Sequence, residues 1–231
     1  MRIFCFLFII PLIGGFNFLN KPFNRFRFRK IKHNRKLSNK HKLITISPGG
    51  MHGFYQLGVC DYIKKNYDLS NCVFSGASAG AWNCLFMSYK HNDDRFLNTI
   101  LNINTTNIRQ AIELEYLLKD IIISKYTIDD FDLQKIYVGV FTFDNNEFKP
   151  KIYNDFVDLY DVLDCCIASS HIPIVSGKFL NYYRHKISLD GGFVREPYLK
   201  TINSSLHITP TIWKTDEPYI GLNFKLFDMI K

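Results

Sequence analysis

The chain has 231 residues, of which 47% are hydrophobic and 16% aromatic, and a formal net charge of +8. This length predicts one domain with an extension, and the hydrophobic content excludes a disordered polymer. Residues 1–42 hold 11 of the 29 Lys and Arg and no Asp or Glu, so residues 43–231 carry 18 basic and 21 acidic residues, a net charge of −3. The basicity therefore belongs to an N-terminal arm and does not indicate that the predicted domain, residues 43–231, binds nucleic acid.

The arm begins with a stretch of 17 residues, 3–19, that contains no charge and is interrupted by Pro11, Gly14 and Gly15. This length is at the short end for a transmembrane helix, and the single Arg before it also fits a signal peptide. If the stretch is retained as an anchor, the basic flank should stay cytoplasmic and be drawn to anionic lipid headgroups. If it is cleaved, the basic segment can serve as an organelle-targeting signal. Both alternatives predict a membrane-associated or targeted protein.

Strand-like and helix-like patterns alternate along the rest of the chain. Strands are predicted at residues 43–46, 71–76, 135–144 and 148–154, and residues 184–193 are predicted to be a strand that ends in a turn. Helices are predicted at 53–66, 78–90, 93–102, 108–124 and 158–169. This alternation predicts a layered α/β fold with a mainly parallel sheet. Ligands of such sheets bind at the carboxyl ends of the strands, where three glycine-rich turns of this chain are expected.

The first of these turns lies in ISPGGMHGFYQLG, residues 46–58, which places four glycines in thirteen positions. A glycine-rich turn between a strand and a helix gathers free backbone N–H groups, which form an anion-binding site. The anion is either a stable phosphate or the transient oxyanion of an acyl transfer. A nucleotide site is disfavoured, because GGMHG lacks the Lys-Ser/Thr of a P-loop and does not match G-x-G-x-x-G.

The second turn, GASAG at residues 76–80, has the form G-x-S-x-G between a predicted strand and a predicted helix. A nucleophile elbow requires that context, and it lifts Ser78 above the sheet at the positive end of the helix. The tight turn needs small residues on both sides of the serine, which are Gly76, Ala77, Ala79 and Gly80. The alternative is a helix start at which Ser78 acts only as a cap.

A serine nucleophile needs a base, and the sequence offers two. Asp190 stands in SLDGGF at a predicted strand end, where Gly191 and Gly192 allow close approach to Ser78. An ordinary Asp-Gly turn is the alternative interpretation of this segment. His207 is the only histidine after Asp190 and would complete a Ser-Asp-His triad in the order of the α/β-hydrolases, although a lone histidine there is more typical of a strand.

The three turns, taken in this order, resemble the patatin-like phospholipases over residues 43 to about 200. That family has a glycine-rich oxyanion loop, a G-x-S-x-G nucleophile and a D-G-G or D-G-A aspartate, and ASSHIP at 168–173 resembles its A-S-x-x-I-P stretch. The resemblance implies a three-layer α/β/α sandwich with Ser78 as nucleophile and Asp190 as proton acceptor. It also implies an oxyanion hole at Gly49, Gly50, Met51 and Gly53.

The glycine loop departs from the family pattern G-G-G-x-R-G at two positions. Pro48 replaces the first glycine and has no N–H to donate, whereas Gly49 and Gly50 keep theirs. His52 replaces the arginine, so a permanent charge becomes one that depends on pH. These changes are expected to affect the rate and the pH optimum more than the chemistry.

The expected function is therefore a phospholipase A-type acyl hydrolase, acting on phospholipids or other acyl lipids through Ser78 and Asp190. The alternatives are the His207 triad esterase and a membrane-associated, inactive lipid-binding protein. No metal or other cofactor is expected, since no Cys/His set has zinc-ligand spacing. The six cysteines, which are Cys5, Cys60, Cys72, Cys84, Cys165 and Cys166, are predicted to be free thiols, mostly buried, as suits a reducing compartment.

Overall fold

The computed structural model describes residues 41–199 and 204–210. Its strands are β1 (Lys42–Ile46), β2 (Cys72–Gly76), β3 (Ile136–Asp144), β4 (Glu147–Tyr153), β5 (Tyr182–Tyr183), β6 (Lys186–Leu189) and β7 (Ser204–Ile208). Its helices are α1 (Gly53–Asn66), α2 (Ala79–Ser88), α3 (Arg95–Leu101), α4 (Ala111–Lys125) and α5 (Leu159–Ser170). The predictions for the arm lie outside the described residues, except at positions 41 and 42.

Hydrogen bonds connect the described strands into one sheet along the path β5-β6-β3-β2-β1-β7, and β4 also pairs with β3. Strands β2 and β6 pair with different parts of β3. The four strands β3, β2, β1 and β7 are parallel, and β4, β5 and β6 are antiparallel to their neighbours. Helices flank this sheet, so the prediction of an α/β fold with a central, mostly parallel sheet is confirmed. All five residues of β2 are buried, which explains why it appears in the sequence as a short apolar run.

The strand predicted within 184–193 begins two residues later in the structure, at Lys186 of β6. Arg184 and His185 have φ values of 45° and 61° and form a two-residue turn between β5 and β6. Positive φ at both positions is typical of a tight hairpin turn, but Arg and His are not residue types from which such a turn is predicted. The predicted strand and the turn that ends it are present as β6 and the residues from Asp190 onward, whereas the hairpin turn at 184–185 was not predicted.

The direction of β6 decides where the aspartate turn lies. Val138 of β3 pairs with β2 on one side and β4 on the other, and Phe141 pairs with both β4 and β6. Strands β2 and β6 are therefore on the same side of β3, and β6 runs antiparallel toward the carboxyl end of β2. The turn that follows β6 therefore lies close to the turn that follows β2.

The core includes all five cysteines of the described residues, which are free and buried: Cys60, Cys72, Cys84, Cys165 and Cys166. Burial raises the pKa of the Cys84 thiol well above its ordinary value, so this group is an unreactive core side chain. Cys5 lies outside the described residues. None of the helices in the described ranges combines the length and the apolar character that crossing a bilayer requires.

Gly80 in the first turn of α2 packs directly on the end of β1. A Cβ at this position would lie 2.2 Å from the carbonyl oxygen of Ile46 and 2.8 Å from that of Ser47. Because both obstacles are backbone atoms, we expect Gly80→Ala to lower the free energy of unfolding by about 3 kcal/mol. Urea denaturation measures this, with Gly58→Ala as the control.

Gly58 lies inside α1, and a Cβ there would meet nothing within 4 Å. Its replacement by alanine removes backbone freedom from the unfolded chain and should raise stability by up to about 1 kcal/mol. Equal stability of the Gly80→Ala variant and the wild type would contradict the close packing of α2 on β1.

Candidate active site

Ser78 occupies a strained turn between β2 and α2. Its φ of 55° and ψ of −129° are a conformation that residues with a Cβ rarely adopt. The turn closes tightly, since a Cβ on Gly76 would lie 2.3 Å from the carbonyl oxygen of Gly80. Ser78 is 6% exposed and immediately precedes the first residue of α2. The geometry is that of a nucleophile elbow.

The side chains of Ser78 and Asp190 are in contact. The Ser78 hydroxyl donates a hydrogen bond to Asp190 Oδ2 over 2.8 Å, although the residues are 112 positions apart in sequence. The backbone N–H of Gly192 donates to the other carboxylate oxygen, Oδ1, over 2.5 Å. The N–H of Asp190 itself donates to the carbonyl of His171 over 2.7 Å. Both carboxylate oxygens and the backbone of this aspartate are therefore held in place.

The burial of Asp190 changes its acidity. Burial raises the pKa of Asp190 to about 6, against the opposing effect of the hydrogen bonds from Gly192 and Ser78. Loss of water disfavours the charged carboxylate, and donors that bind it favour the charge. A carboxylate with a pKa near 6 is a stronger base than an exposed aspartate and is still ionised at pH 7.

The glycine loop forms a 3₁₀ turn, Gly50–His52, between β1 and α1. Gly50 has a φ of 50°, which favours glycine, and the N–H of Gly53 donates to the carbonyls of Gly50 and Met51. Within the described residues, the N–H groups of Gly49, Gly50 and Met51 donate to no other group of the chain. These three donors are available to an anion, whereas that of Gly53 is already engaged.

The three turns meet because their backbones approach one another closely. A Cβ on Gly53 would lie 2.6 Å from the Cβ of Ala79, which joins the glycine loop to the elbow. A Cβ on Gly192 would lie 3.2 Å from the Cβ of Pro48, which joins the loop to the aspartate turn. The glycines at 53 and 192 are therefore needed for space between the elements that carry the reactive groups.

Two buried amide side chains, which the sequence did not single out, hold the glycine loop. The Gln56 amide nitrogen donates to the carbonyl oxygen of Ser47 over 3.0 Å and to its hydroxyl over 3.1 Å. The Asn83 amide nitrogen donates to the carbonyl oxygen of Gly53 over 3.1 Å. One side chain thus anchors each end of the loop.

His207, the alternative base, lies on β7 and not beside Ser78. Its Nδ1 is 2.7 Å from the hydroxyl of Thr45 on β1, and its ring packs edge-on against Tyr198 with centroids 5.5 Å apart. Burial lowers the pKa of the His207 ring. Its partners are thus Thr45 on the neighbouring strand and Tyr198 before β7, and neither is Ser78 or Asp190.

Two further polar residues near the pair were missed by sequence reasoning. The Ser169 hydroxyl, at the end of α5, accepts the N–H of Ser78 over 2.8 Å and donates to the carbonyl of Gly139 over 2.7 Å. Glu115 on α4 is buried, and this burial raises its pKa to about 8, with a smaller contribution from Asp190. The ASSHIP stretch was a signal for Ser169, whereas a glutamate in a helical pattern gave none.

Comparison with known proteins finds one family. The family model described as Patatin-like phospholipase matches residues 44–199, about two thirds of the chain. The matched range includes the glycine loop, the elbow and the aspartate turn. Neither the curated proteins nor the solved structures that were compared give a match. The chain belongs to the patatin-like phospholipase family, whose members are in general serine hydrolases that act on lipid esters.

Proposed function

We propose that this protein is a phospholipase A-type lipid acyl hydrolase that acts through a dyad of Ser78 and Asp190. The observation that carries the proposal is the 2.8 Å hydrogen bond from the Ser78 hydroxyl to Asp190 Oδ2 in a buried site. A nucleophile in contact with its own base is the basic requirement for covalent catalysis by serine. Membership of a family of lipid acyl hydrolases supports an acyl lipid as the substrate.

The reaction proceeds in two acyl transfers. Ser78 Oγ attacks the ester carbonyl while Asp190 takes its proton, and the N–H groups of Gly49, Gly50 and Met51 stabilise the tetrahedral oxyanion. The intermediate collapses to an acyl-serine, and Asp190 returns the proton to the departing alcohol. Water, deprotonated by Asp190, then attacks the acyl-serine. The second tetrahedral intermediate collapses and releases the fatty acid, while Asp190 returns the proton to Ser78 Oγ. Loss of one oxyanion donor typically costs roughly 3 kcal/mol of barrier.

We also propose that residues 1–42 bring the hydrolase to a membrane surface. The support is compositional: an uncharged stretch at 3–19 precedes a basic segment without acidic residues. Such a segment is attracted to anionic lipid headgroups. Vesicle flotation of the full chain, compared with residues 43–231, tests this role.

A defined phospholipid tests the proposed activity. We expect the full chain to release fatty acid from a phosphatidylcholine that carries a different acyl chain at each position, measured by mass spectrometry. The His207→Ala variant should stay within about threefold of the wild type, because its partners are Thr45 and Tyr198. Loss of activity in that variant would favour the Ser-Asp-His triad. No release by folded wild type would favour a lipid-binding protein without catalysis.

A further inference from the structure

The nucleophile elbow is tied to the centre of the sheet by one buried side chain, Ser169. Its hydroxyl accepts the Ser78 N–H over 2.8 Å and donates to the Gly139 carbonyl of β3 over 2.7 Å. Ser169 has no exposed surface, so water cannot readily replace either hydrogen bond. A single hydroxyl thus satisfies the backbone of the nucleophile and the backbone of the strand beside it.

The same Gly139 carbonyl contacts the turn that carries the base. A Cβ on Gly191 would lie 2.3 Å from the Gly139 oxygen, so the aspartate turn packs directly against this peptide group. The Gly139 carbonyl therefore packs against the turn after β6 and is also linked to the Ser78 N–H through the hydroxyl of Ser169.

The elbow needs such a support because its conformation is unfavourable on its own. Ser78 has a φ of 55°, and a residue with a Cβ stays in this region only where its surroundings hold it. Its N–H precedes α2 and has no partner within that helix. Among the described residues, the Ser169 hydroxyl is the acceptor of this N–H.

We propose that Ser169 is a positioning residue for the reaction: its hydroxyl holds the strained elbow at the place where Ser78 Oγ reaches Asp190. This inference rests on the proposed function. In the Ser169→Ala variant, the Ser78 N–H and the Gly139 carbonyl lose a buried partner. The elbow then relaxes, and a displacement of about 1 Å at a reacting group can reduce a rate by about 10²-fold.

The test uses the full chain and a small fluorophosphonate, which reports on the nucleophile without requiring lipid binding. Ser78 Oγ forms a bond to phosphorus, fluoride leaves, and Asp190 takes the hydroxyl proton. We expect Ser169→Ala to lower the second-order rate constant for this reaction 10- to 100-fold. The kcat for phosphatidylcholine should fall by a similar factor, while KM stays within twofold of the wild-type value.

Ser88→Ala is the matched control. Ser88 is also a buried serine and donates to the carbonyl of Leu85 over 2.7 Å, but it lies at the opposite end of α2 from the elbow. All variants are measured at a temperature where circular dichroism shows them folded. The Ser169→Cys variant keeps a weaker donor and acceptor of similar size, and its rate should lie between those of wild type and Ser169→Ala. If Ser169→Ala does not fold, the rate constant of the Ser169→Cys variant tests the inference, and a value below that of the wild type supports it.

Wild-type reaction rates in the folded Ser169 variants would overturn the inference. A loss in Ser88→Ala as large as that in Ser169→Ala would overturn it too, because general destabilisation would then explain both. A raised KM with unchanged kcat and phosphonylation rate would also contradict it, since the hydroxyl would then serve binding. A folded wild type that does not react would instead overturn the proposed function.

Discussion

The Ser78→Ala variant is expected to release no fatty acid above background and to remain unlabelled by a fluorophosphonate. The alanine has no oxygen to attack the ester, and Asp190 then has no hydroxyl to deprotonate. Removal of a catalytic serine in other hydrolases lowers the rate by orders of magnitude, and a loss of at least about 10⁴-fold is expected here. Initial rates on phosphatidylcholine and gel fluorescence of the probe measure this.

The fold of this variant should be kept, because alanine fills less space than serine at a buried position. Ser88→Ala controls for the removal of a buried hydroxyl at the far end of α2 and should be labelled like the wild type. Labelling of Ser78→Ala at more than about 1% of the wild-type rate would show that another residue is the nucleophile, and the proposed dyad would have to be abandoned.

The Asp190→Asn variant is expected to lose activity by about 10³-fold or more and to become more stable. Asparagine has nearly the shape of aspartate but cannot take the Ser78 proton, and a general base contributes about 10²–10⁴-fold.

For the wild type, the rate should fall about tenfold per pH unit below pH 6, because burial raises the pKa of Asp190 to about 6. A pH–rate profile from pH 4.5 to 8 measures the wild-type dependence.

The gain in stability follows from the same pKa. Because the pKa of folded Asp190 lies above its ordinary 3.8, folding favours the protonated form, and the wild type loses stability as pH rises from about 4 to about 6. Asparagine has no such loss, so above pH 6 the variant should be more stable by up to about 3 kcal/mol. Urea denaturation at pH 4 and pH 8 tests this, with a stability difference below about 1 kcal/mol expected at pH 4. Retained activity would contradict the role of Asp190 as the base.

The sequence predicted the elements that depend on local pattern. Buried strands such as β2 and long apolar-periodic helices such as α1 lie within about two residues of their predicted bounds. The turn at Arg184 and His185 was missed because its positive φ angles are imposed by the pairing of β5 with β6 and not by glycine or asparagine. The direction of β6 could not be predicted either, because the residue pattern of one segment does not show which strands it pairs with.

The candidate site shows the same division between local and distant information. The contact between Ser78 and Asp190 could be predicted because each lies in a tight turn that requires small neighbouring residues. Ser169 and Asn83 make their contacts with distant segments: 91 positions separate Ser169 from Ser78, and 30 separate Asn83 from Gly53. A buried serine or asparagine has the same letter as an exposed one, so only the folded chain distinguishes them. The N–H of Gly53 is a similar case, since its engagement within the loop depends on the 3₁₀ turn.

Strand β7 extends the folded unit beyond the range that the family model matches. It pairs with β1 through residues 204–208, and the carbonyl of Ile208 accepts the N–H of Ser47, just before the glycine loop. The family match ends at 199, ahead of this strand. A protein shortened to the matched range would leave β1 as an open edge with unpaired backbone groups, which invites self-association between molecules. The smallest version suited to expression and crystallisation therefore extends through residue 208.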